Sequence, residues 1–258
     1  MQSVDRGGVR VAYDVHNPDG TGTALLLSHG FSATSGMWGL NVPALSAGRT
    51  VVAWDQRGHG ESDAPADPEA YGHEICLGDM AAILDAAGAE RAVLVGMSLG
   101  GYLSLQFYLA HPERVAALIL VDTGPGFRKD EARQQWNERA LRQADEIERT
   151  GTLGPGSSER AQARHRDIRG VAQAARRVLT QVDGKVIDAL PGIAVPTLIV
   201  VGADDTNFLP SADYMERRIP GARKVVIPDA GHAANLDQPE IFNDAVLDFL
   251  RSEATVEP

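Results

Sequence analysis

The chain contains the pentapeptide Gly96-Met97-Ser98-Leu99-Gly100 between an apolar run and a segment of helical character. A tight turn from a strand into a helix forces its central residue into a strained backbone, and glycines two positions to either side let strand and helix approach closely. The hydroxyl of Ser98 is then exposed beside a helix N-terminus, which favours negative charge. The pattern predicts that Ser98 is a nucleophile. The alternative is a glycine-rich turn with an incidental serine.

Short apolar runs recur along the chain and predict buried strands. Runs of this length without polar alternation are typical of parallel strands covered by helices on both faces. They cover Ala24–Ser28, Thr50–Trp54, Ala92–Val95, Ala117–Val121, Thr197–Val201 and Lys224–Ile227, with candidate helices at 75–87, 99–111, 209–218 and 239–251. The sequence therefore predicts an α/β protein.

Residues 125–190 interrupt this alternation. Helical spacing of apolar residues over Glu131–Thr150 and Ser158–Val182 predicts two helices, separated by the breaker run Gly151–Gly156. Residues 127–188 hold 13 Lys and Arg against 10 Asp and Glu, although the whole chain has 24 against 35. The sequence predicts a core of residues 1–124 and 191–258, with a mildly basic helical insertion at 125–190.

The composition limits the classes of partner. The chain has 258 residues, 43% of them hydrophobic, and a formal net charge of −11, so nucleic acid and anionic membranes are not expected as partners. Cys76 is the only cysteine, which excludes an intrachain disulfide and a cysteine-based zinc site. We expect a cytoplasmic protein because the N-terminus lacks an apolar signal region and no apolar run reaches about 18 residues. The sequence does not determine the oligomeric state.

A serine hydroxyl needs a base to become a nucleophile. His232 is the one histidine of seven that follows a late predicted strand and precedes the last helix. A loop there reaches the carboxyl ends of the strands, where ligands bind in open α/β sheets. His29 and His59 lie beside glycines in turns, and we interpret them as structural hydrogen-bonding groups. The alternative for His232 is likewise a structural histidine whose ring nitrogens are hydrogen-bonded within the fold.

The imidazole needs an acid to orient it. Asp204 and Asp205 both follow the strand that ends at Val201, and Asp122 follows the strand before it. The order serine, aspartate, histidine along the chain is the one expected for this architecture. The residues alone leave all three aspartates open.

Five segments together resemble the motifs of the α/β-hydrolase superfamily, in its order and over essentially the whole chain. They are His29-Gly30-Phe31, Asp55–Ser62, Gly96–Gly100, Gly202–Asp205 and Gly231-His232. The resemblance implies a mostly parallel eight-stranded sheet flanked by helices, with residues 125–190 as a helical cap. It favours Asp205 as the acid, and it implies that the backbone N–H groups of Phe31 and Leu99 form an oxyanion hole.

Within the superfamily, a serine nucleophile excludes haloalkane dehalogenases and epoxide hydrolases, which use aspartate. The chain is most similar to small carboxylesterases and 3-oxoadipate enol-lactonases, which share the Asn235–Pro239 type of run after the histidine. This implies hydrolysis of small esters or lactones. C–C hydrolases of the meta-cleavage type are an alternative, although they carry an aromatic residue beside the histidine, where this chain has Ala233 and Ala234. A ligand receptor of the hydrolase fold, with little catalytic turnover, is a second alternative.

The resemblance also places a substrate pocket between sheet and cap. Candidate lining residues are Phe31, Trp38, Met97, Phe127 and Trp136, each of which is otherwise an ordinary core residue. The basic insertion favours an anionic substrate, unless its arginines only form solvated helix faces. No metal or organic cofactor is expected, because the sequence has no P-loop, no G-x-G-x-x-G and no cluster of metal ligands.

Overall fold

The computed structural model describes residues 1–154, 156 and 158–254. Its centre is one sheet of eight strands, and each predicted apolar run forms one of them. The strands are β1 Gln2–Asp5, β2 Arg10–His16, β3 Gly22–Ser28, β4 Arg49–Trp54, β5 Ala92–Met97, β6 Val115–Val121, β7 Thr197–Gly202 and β8 Arg223–Ile227.

The strands lie in the order β1-β2-β4-β3-β5-β6-β7-β8. The hairpin β1–β2 is antiparallel and pairs antiparallel with β4, whereas β4, β3, β5, β6, β7 and β8 run parallel. The prediction of a mostly parallel eight-stranded sheet is confirmed. Parallel strands end at the same edge of the sheet, so the loops after β3, β5, β6, β7 and β8 meet there.

Helices cover both faces of the sheet. Alternate residues of a strand point to opposite faces, so Leu26 of β3 belongs to one hydrophobic core and its neighbours Leu25 and Leu27 belong to the other. The helices are α1 Val42–Leu45, α2 His73–Ala86, α3 Leu99–Ala110, α4 Asp130–Thr150, α5 Ser158–Gln162, α6 Ile168–Arg177, α7 Lys185–Ala189, α8 Leu209–Arg218, α9 Ala234–Asp237 and α10 Pro239–Ala254. None of the helices described is long and apolar enough to span a membrane.

The segment between β6 and β7 carries α4 to α7, with α4 packed on α6. The prediction of one helix over Ser158–Val182 is wrong, because the chain breaks between α5 and α6. There the side chain of Asp167 caps α6 by accepting the Arg169 N–H at 2.9 Å. The His165 ring accepts the Gly60 N–H at 3.0 Å and contacts the Ser32 carbonyl at 3.2 Å. The two contacts of His165 connect the segment between α5 and α6 to turns of the core.

Helix α6 also approaches the core very closely. A Cβ atom on Gly170 would lie 2.5 Å from the Cα of Gly58, a distance that real Cβ atoms do not reach. Gly58 itself has a φ of +76°. Two glycines facing each other therefore allow the segment between β6 and β7 to contact the turn after β4.

Candidate active site

Ser98 lies in the turn between β5 and α3. Its φ of 50° and ψ of −114° are rare for an L-amino acid. A Cβ atom on Gly96 would lie 2.3 Å from the Gly100 carbonyl oxygen, and one on Gly100 would lie 2.2 Å from that of Ser28. Glycine is thus required on both sides of Ser98, as the sequence pattern predicts.

The structure brings His232 between Ser98 and Asp205. His232 Nε2 lies 3.1 Å from Ser98 Oγ, and His232 Nδ1 lies 2.7 Å from Asp205 Oδ2. A carboxylate only accepts hydrogen bonds, so Nδ1 donates its hydrogen to Asp205. The neutral imidazole then offers Nε2 as an acceptor for the Ser98 hydroxyl. This is the geometry of a nucleophile, a base and an orienting acid.

The neighbouring Asp204 does not share this position. Asp205 is buried, whereas Asp204 is exposed and its backbone N–H donates to the Ala230 carbonyl at 2.9 Å. Of the three aspartates that the sequence left open, Asp205 is the one whose carboxylate is hydrogen-bonded to the imidazole.

The surroundings of His232 favour its protonated form. Burial lowers the pKa of His232, but the hydrogen bond and charge of Asp205 raise it, helped by the charges of Asp122 and Glu159. The net result is a pKa above the usual 6.5. An imidazolium formed during proton transfer is therefore stabilised in this site.

Phe208 stacks on the imidazole, with ring centroids 4.9 Å apart and planes inclined by 23°. The sequence patterns did not predict a role for Phe208. Its position three residues after Asp205, at the start of α8, is the feature that could have indicated one. The stacked ring limits rotation of His232.

Asp122 is fully buried at the end of β6, and its carboxylate interacts electrostatically with Asp205 and His232. Its Oδ1 accepts the Gly202 N–H at 2.8 Å, and its Oδ2 accepts the Ala234 N–H at 3.0 Å. Burial raises the pKa of Asp122 to about 7, although the two N–H donors and the charge of His232 lower it. Its carboxylate thus binds the loops that carry Asp205 and His232.

The residues predicted for an oxyanion hole lie next to Ser98. A Cβ atom on Gly30 would lie 3.4 Å from Ser98 Cβ, so the turn leading into Phe31 packs against the serine. Leu99 is the first residue of α3, and N–H groups in the first turn of a helix have no intrahelical acceptor. The Phe31 and Leu99 N–H groups are available for an oxyanion by position, and their role stays a prediction.

His29 and His59 shape the turn that carries Phe31. His59 Nε2 accepts the Ser32 N–H at 3.2 Å, and His29 Nε2 accepts the Gln56 N–H at 3.0 Å. Burial lowers the pKa of His29 to about 4 and that of His59 well below 6.5. Both rings are neutral hydrogen-bonding groups, which is the structural interpretation that the sequence suggested.

A cavity of about 660 Å³ opens above Ser98 and His232. A smaller chamber of about 60 Å³ adjoins it on the side of Leu99 and Tyr102, and Ser98 lines both spaces. The predicted lining residues Phe31, Met97, Phe127 and Trp136 all line the larger cavity. Helix α4 forms one wall through Trp136, Arg139, Ala140 and Gln143.

The prediction that Trp38 lines the pocket is wrong. Trp38 is fully buried in the core on the other side of the turn, where its ring lies 6.2 Å from that of Phe242 in α10. Trp38 is the last residue of the short 3₁₀ helix Ser35–Trp38, and it is not among the residues that line the cavity. Packing against α10 could not be read from a local pattern.

Comparison with known proteins gives similarities over nearly the whole chain. The family described as the alpha/beta hydrolase family matches residues 25–245. The chain is 27% identical to 3-oxoadipate enol-lactonase 1 of Acinetobacter baylyi, covering 96% of both proteins. It is 30% identical to the pimeloyl-(acyl-carrier protein) methyl ester esterase of Aeromonas hydrophila, covering 90% of this chain and 96% of that one. A thermophilic esterase from Thermogutta terrifontis, solved with malate bound, is 30% identical with a TM-score of 0.80, covering 98% of this chain and 99% of that one.

Proposed function

Because this chain belongs to the alpha/beta hydrolase family, we propose that it hydrolyses small carboxylic esters or lactones through an acyl-enzyme on Ser98. The observation that carries the proposal is the continuous hydrogen-bonded series of Ser98 Oγ, His232 and Asp205, at 3.1 and 2.7 Å. The relatives named above include two esterases and an enol-lactonase.

The geometry supports the following sequence of steps. His232 Nε2 takes the hydroxyl proton as Ser98 Oγ attacks the substrate carbonyl, and Asp205 stabilises the imidazolium. The N–H groups of Phe31 and Leu99 stabilise the oxyanion, a contribution of about 10²–10³-fold for one donor. The imidazolium then protonates the leaving alcohol. A water activated by His232 hydrolyses the acyl-enzyme and restores Ser98.

The two residues that follow the base do not favour C–C hydrolysis over ester hydrolysis. C–C cleavage of a vinylogous diketone requires a ketonisation step before attack, and ester cleavage does not. The residues that follow His232, Ala233 and Ala234, are fully buried alanines and present no polar group to a substrate. We therefore expect kcat/KM for a short-chain ester or a five-membered lactone to exceed that for a ring-fission diketone.

Helix α4 suggests which ester the cavity accepts. Arg139 lines the cavity, and among the residues described it has no hydrogen-bond or ion-pair partner. Arg160 and Glu159 line the same cavity, so its walls carry two guanidinium groups and one carboxylate. A guanidinium matches the planar, two-oxygen geometry of a carboxylate. The names of two relatives also refer to dicarboxylic acids, through 3-oxoadipate and pimeloyl, and the structure of the Thermogutta terrifontis esterase holds malate.

We accordingly propose an ester or lactone whose acyl or alcohol part ends in a carboxylate. The small chamber beside Ser98 is lined by Leu99, Tyr102 and Phe208, and it suits the short apolar part of such a substrate. The larger cavity, with Arg139, suits the anionic part.

The nucleophile is tested with a serine-reactive phosphonate and a p-nitrophenyl ester. The phosphonate should label Ser98 in the parent protein, and Ser98→Ala should lose both labelling and turnover while keeping the parental circular dichroism spectrum. Labelling at another residue, or unchanged turnover in Ser98→Ala, would refute the assignment. Burst kinetics with release of one p-nitrophenol per Ser98 would report the acyl-enzyme directly.

A further inference from the structure

The end of β6 contacts the loops of all three residues of the proposed triad. We call residues Val121, Asp122 and Thr123 the β6 turn. Strand β6 lies between β5, which leads to Ser98, and β7, which leads to Asp205. This central place brings the β6 turn within hydrogen-bonding distance of both neighbours and of the loop after β8.

Two members of the β6 turn hold the backbone of Ser98. The Ser98 N–H donates to the Val121 carbonyl at 2.9 Å, and the Thr123 hydroxyl donates to the Ser98 carbonyl at 2.6 Å. Thr123 is buried, and it also lines the small chamber beside Ser98. Both polar groups of the strained Ser98 backbone are therefore bound by the β6 turn.

Asp122 holds the two other loops. Its carboxylate accepts the N–H of Gly202, three residues before Asp205, and the N–H of Ala234, two residues after His232. Both partners are donors, and each of the two carboxylate oxygens accepts one of them. The φ of 43° at Asp122 is unfavourable for an L-amino acid, and such strain persists where surrounding contacts determine the backbone.

We propose that the β6 turn is a positioning element of the active site, in which Asp122 and Thr123 set the relative positions of Ser98, Asp205 and His232. The inference rests on the proposed function, since it assigns the turn to that reaction. Asp122 and Thr123 bind the backbones of the three loops, and neither donates or accepts the transferred proton. A shift of about 1 Å between catalytic groups costs on the order of 10²-fold in rate.

The first test is Asp122→Asn, which keeps the shape but turns one acceptor into an N–H donor facing a backbone N–H. We expect kcat per titrated site and the rate of phosphonate labelling to fall together by about 10- to 100-fold, with KM changed by less than about threefold. Asp79→Asn is the matched control. Asp79 is equally buried, but its carboxylate binds Arg57 and Arg6 and contacts none of the three loops. This control should lower the melting temperature and leave kcat per titrated site at the parental value.

The second test compares Thr123→Val with Thr123→Ser. It tests the role of the β6 turn even if Asp122→Asn does not fold. Valine has the shape of threonine without the hydroxyl, whereas serine keeps the hydroxyl. We expect Thr123→Val to slow labelling of Ser98 about tenfold, and Thr123→Ser to label within about twofold of the parent. Parental labelling rates in Asp122→Asn or, if that variant is not folded, in Thr123→Val would overturn the inference. Failure of the parent itself to label at Ser98 would instead refute the proposed function.

Discussion

Left-handed backbone conformations cluster around Ser98. Five residues other than glycine have a positive φ among those described, and four of them, Ser32, Ser98, Asp122 and Asp229, lie in turns at the carboxyl ends of β3, β5, β6 and β8. Two of them are stabilised by hydrogen bonds to a neighbouring turn, from the Ser32 N–H to His59 and from the Ser98 N–H to Val121. Strained residues tend to cluster at functional sites, where surrounding structure maintains them.

The adjacent aspartates of the loop after β7 provide a matched pair. Asp205→Asn should lower kcat by about 10²- to 10⁴-fold, because an amide no longer selects the tautomer of His232 that accepts from Ser98. Asp204→Asn should change kcat less than about threefold, since Asp204 is exposed and contacts the loop through its backbone. Steady-state kinetics on one ester measures both. A larger effect at Asp204 would contradict the assignment of Asp205.

The raised pKa of His232 predicts the pH dependence of activity. The base must be neutral, so kcat/KM should fall as the pH drops through a midpoint above 6.5. In Asp205→Asn that midpoint should move down, because the charge and hydrogen bond that raise the pKa are lost. The rate of phosphonate labelling against pH measures both proteins. A parental midpoint below 6.5, or the same midpoint in both, would contradict the prediction.

The same shift has a consequence for stability. The folded pKa of His232 lies above the value in the unfolded chain, so the His232–Asp205 pair stabilises the fold fully below the unfolded pKa. This contribution is lost as the pH rises through the folded pKa.

At the scale of elements, helix α4 shows how its arginines divide between two roles. Arg133, Arg142 and Arg149 pair with acidic residues three or four positions away on the same helix, Asp130, Glu138 and Glu146. Arg139 lies on the stripe Trp136, Arg139, Ala140 and Gln143, whose spacing corresponds to one helix face, and this stripe lines the cavity. The basic charge of the segment is therefore partly a solvated surface and partly a cavity wall.

Arg139→Gln tests the proposed carboxylate preference. The substrates are the monomethyl ester of glutaric acid and the same ester with a terminal carboxamide, which is uncharged and similar in shape. The parent should prefer the carboxylate by about tenfold or more in kcat/KM, and Arg139→Gln should bring the ratio close to one. Arg142→Gln is the matched control from the same helix and should keep the parental ratio. No preference in the parent, or a preserved ratio in Arg139→Gln, would refute the role of Arg139.

At the scale of the whole molecule, buried neutral histidines link stability to pH. Burial lowers the pKa of His29, His59 and His165, whose rings lie in one row with centroids 5.0 and 5.5 Å apart. The unfolded chain takes up their protons below about pH 6.5, whereas the folded protein takes them up only at a lower pH. Asp122 acts in the opposite sense, because its raised pKa of about 7 lets the folded state bind a proton first. Three histidines act in the destabilising sense and Asp122 acts in the other, so the protein should be less stable at acidic pH.

We therefore expect the free energy of unfolding to fall between about pH 6.5 and pH 4, measured by urea denaturation. In His29→Gln the slope should be smaller by about 1 kcal/mol per pH unit, because one fewer proton is taken up on unfolding. His111→Gln is the control, since the His111 side chain at the end of α3 is only half-buried. An unchanged slope in His29→Gln would show that this ring is protonated in the folded protein.

Local features of this chain were readable from consecutive residues. The turn around Ser98, the six apolar strands and the chain order of serine, an aspartate and histidine follow from turn chemistry, periodicity and spacing, which depend only on neighbours in the chain. The two strands beyond these six were implied only by the family resemblance, which gave a sheet of eight, and they form the hairpin β1–β2. Its strands are partly exposed and lack a continuous apolar run.

Contacts between distant segments were decided by the tertiary structure. Which aspartate reaches the imidazole, the stacking of Phe208, the burial of Trp38 and the hydrogen bonds of Asp122 all join residues brought together by the sheet order. The predicted helix over Ser158–Val182 breaks for the same reason, because His165 binds the core turn at Gly60. Such distances depend on how strands and helices pack, and in an irregular loop such as the one that carries Asp204 and Asp205 no periodicity indicates which of two adjacent side chains points inward.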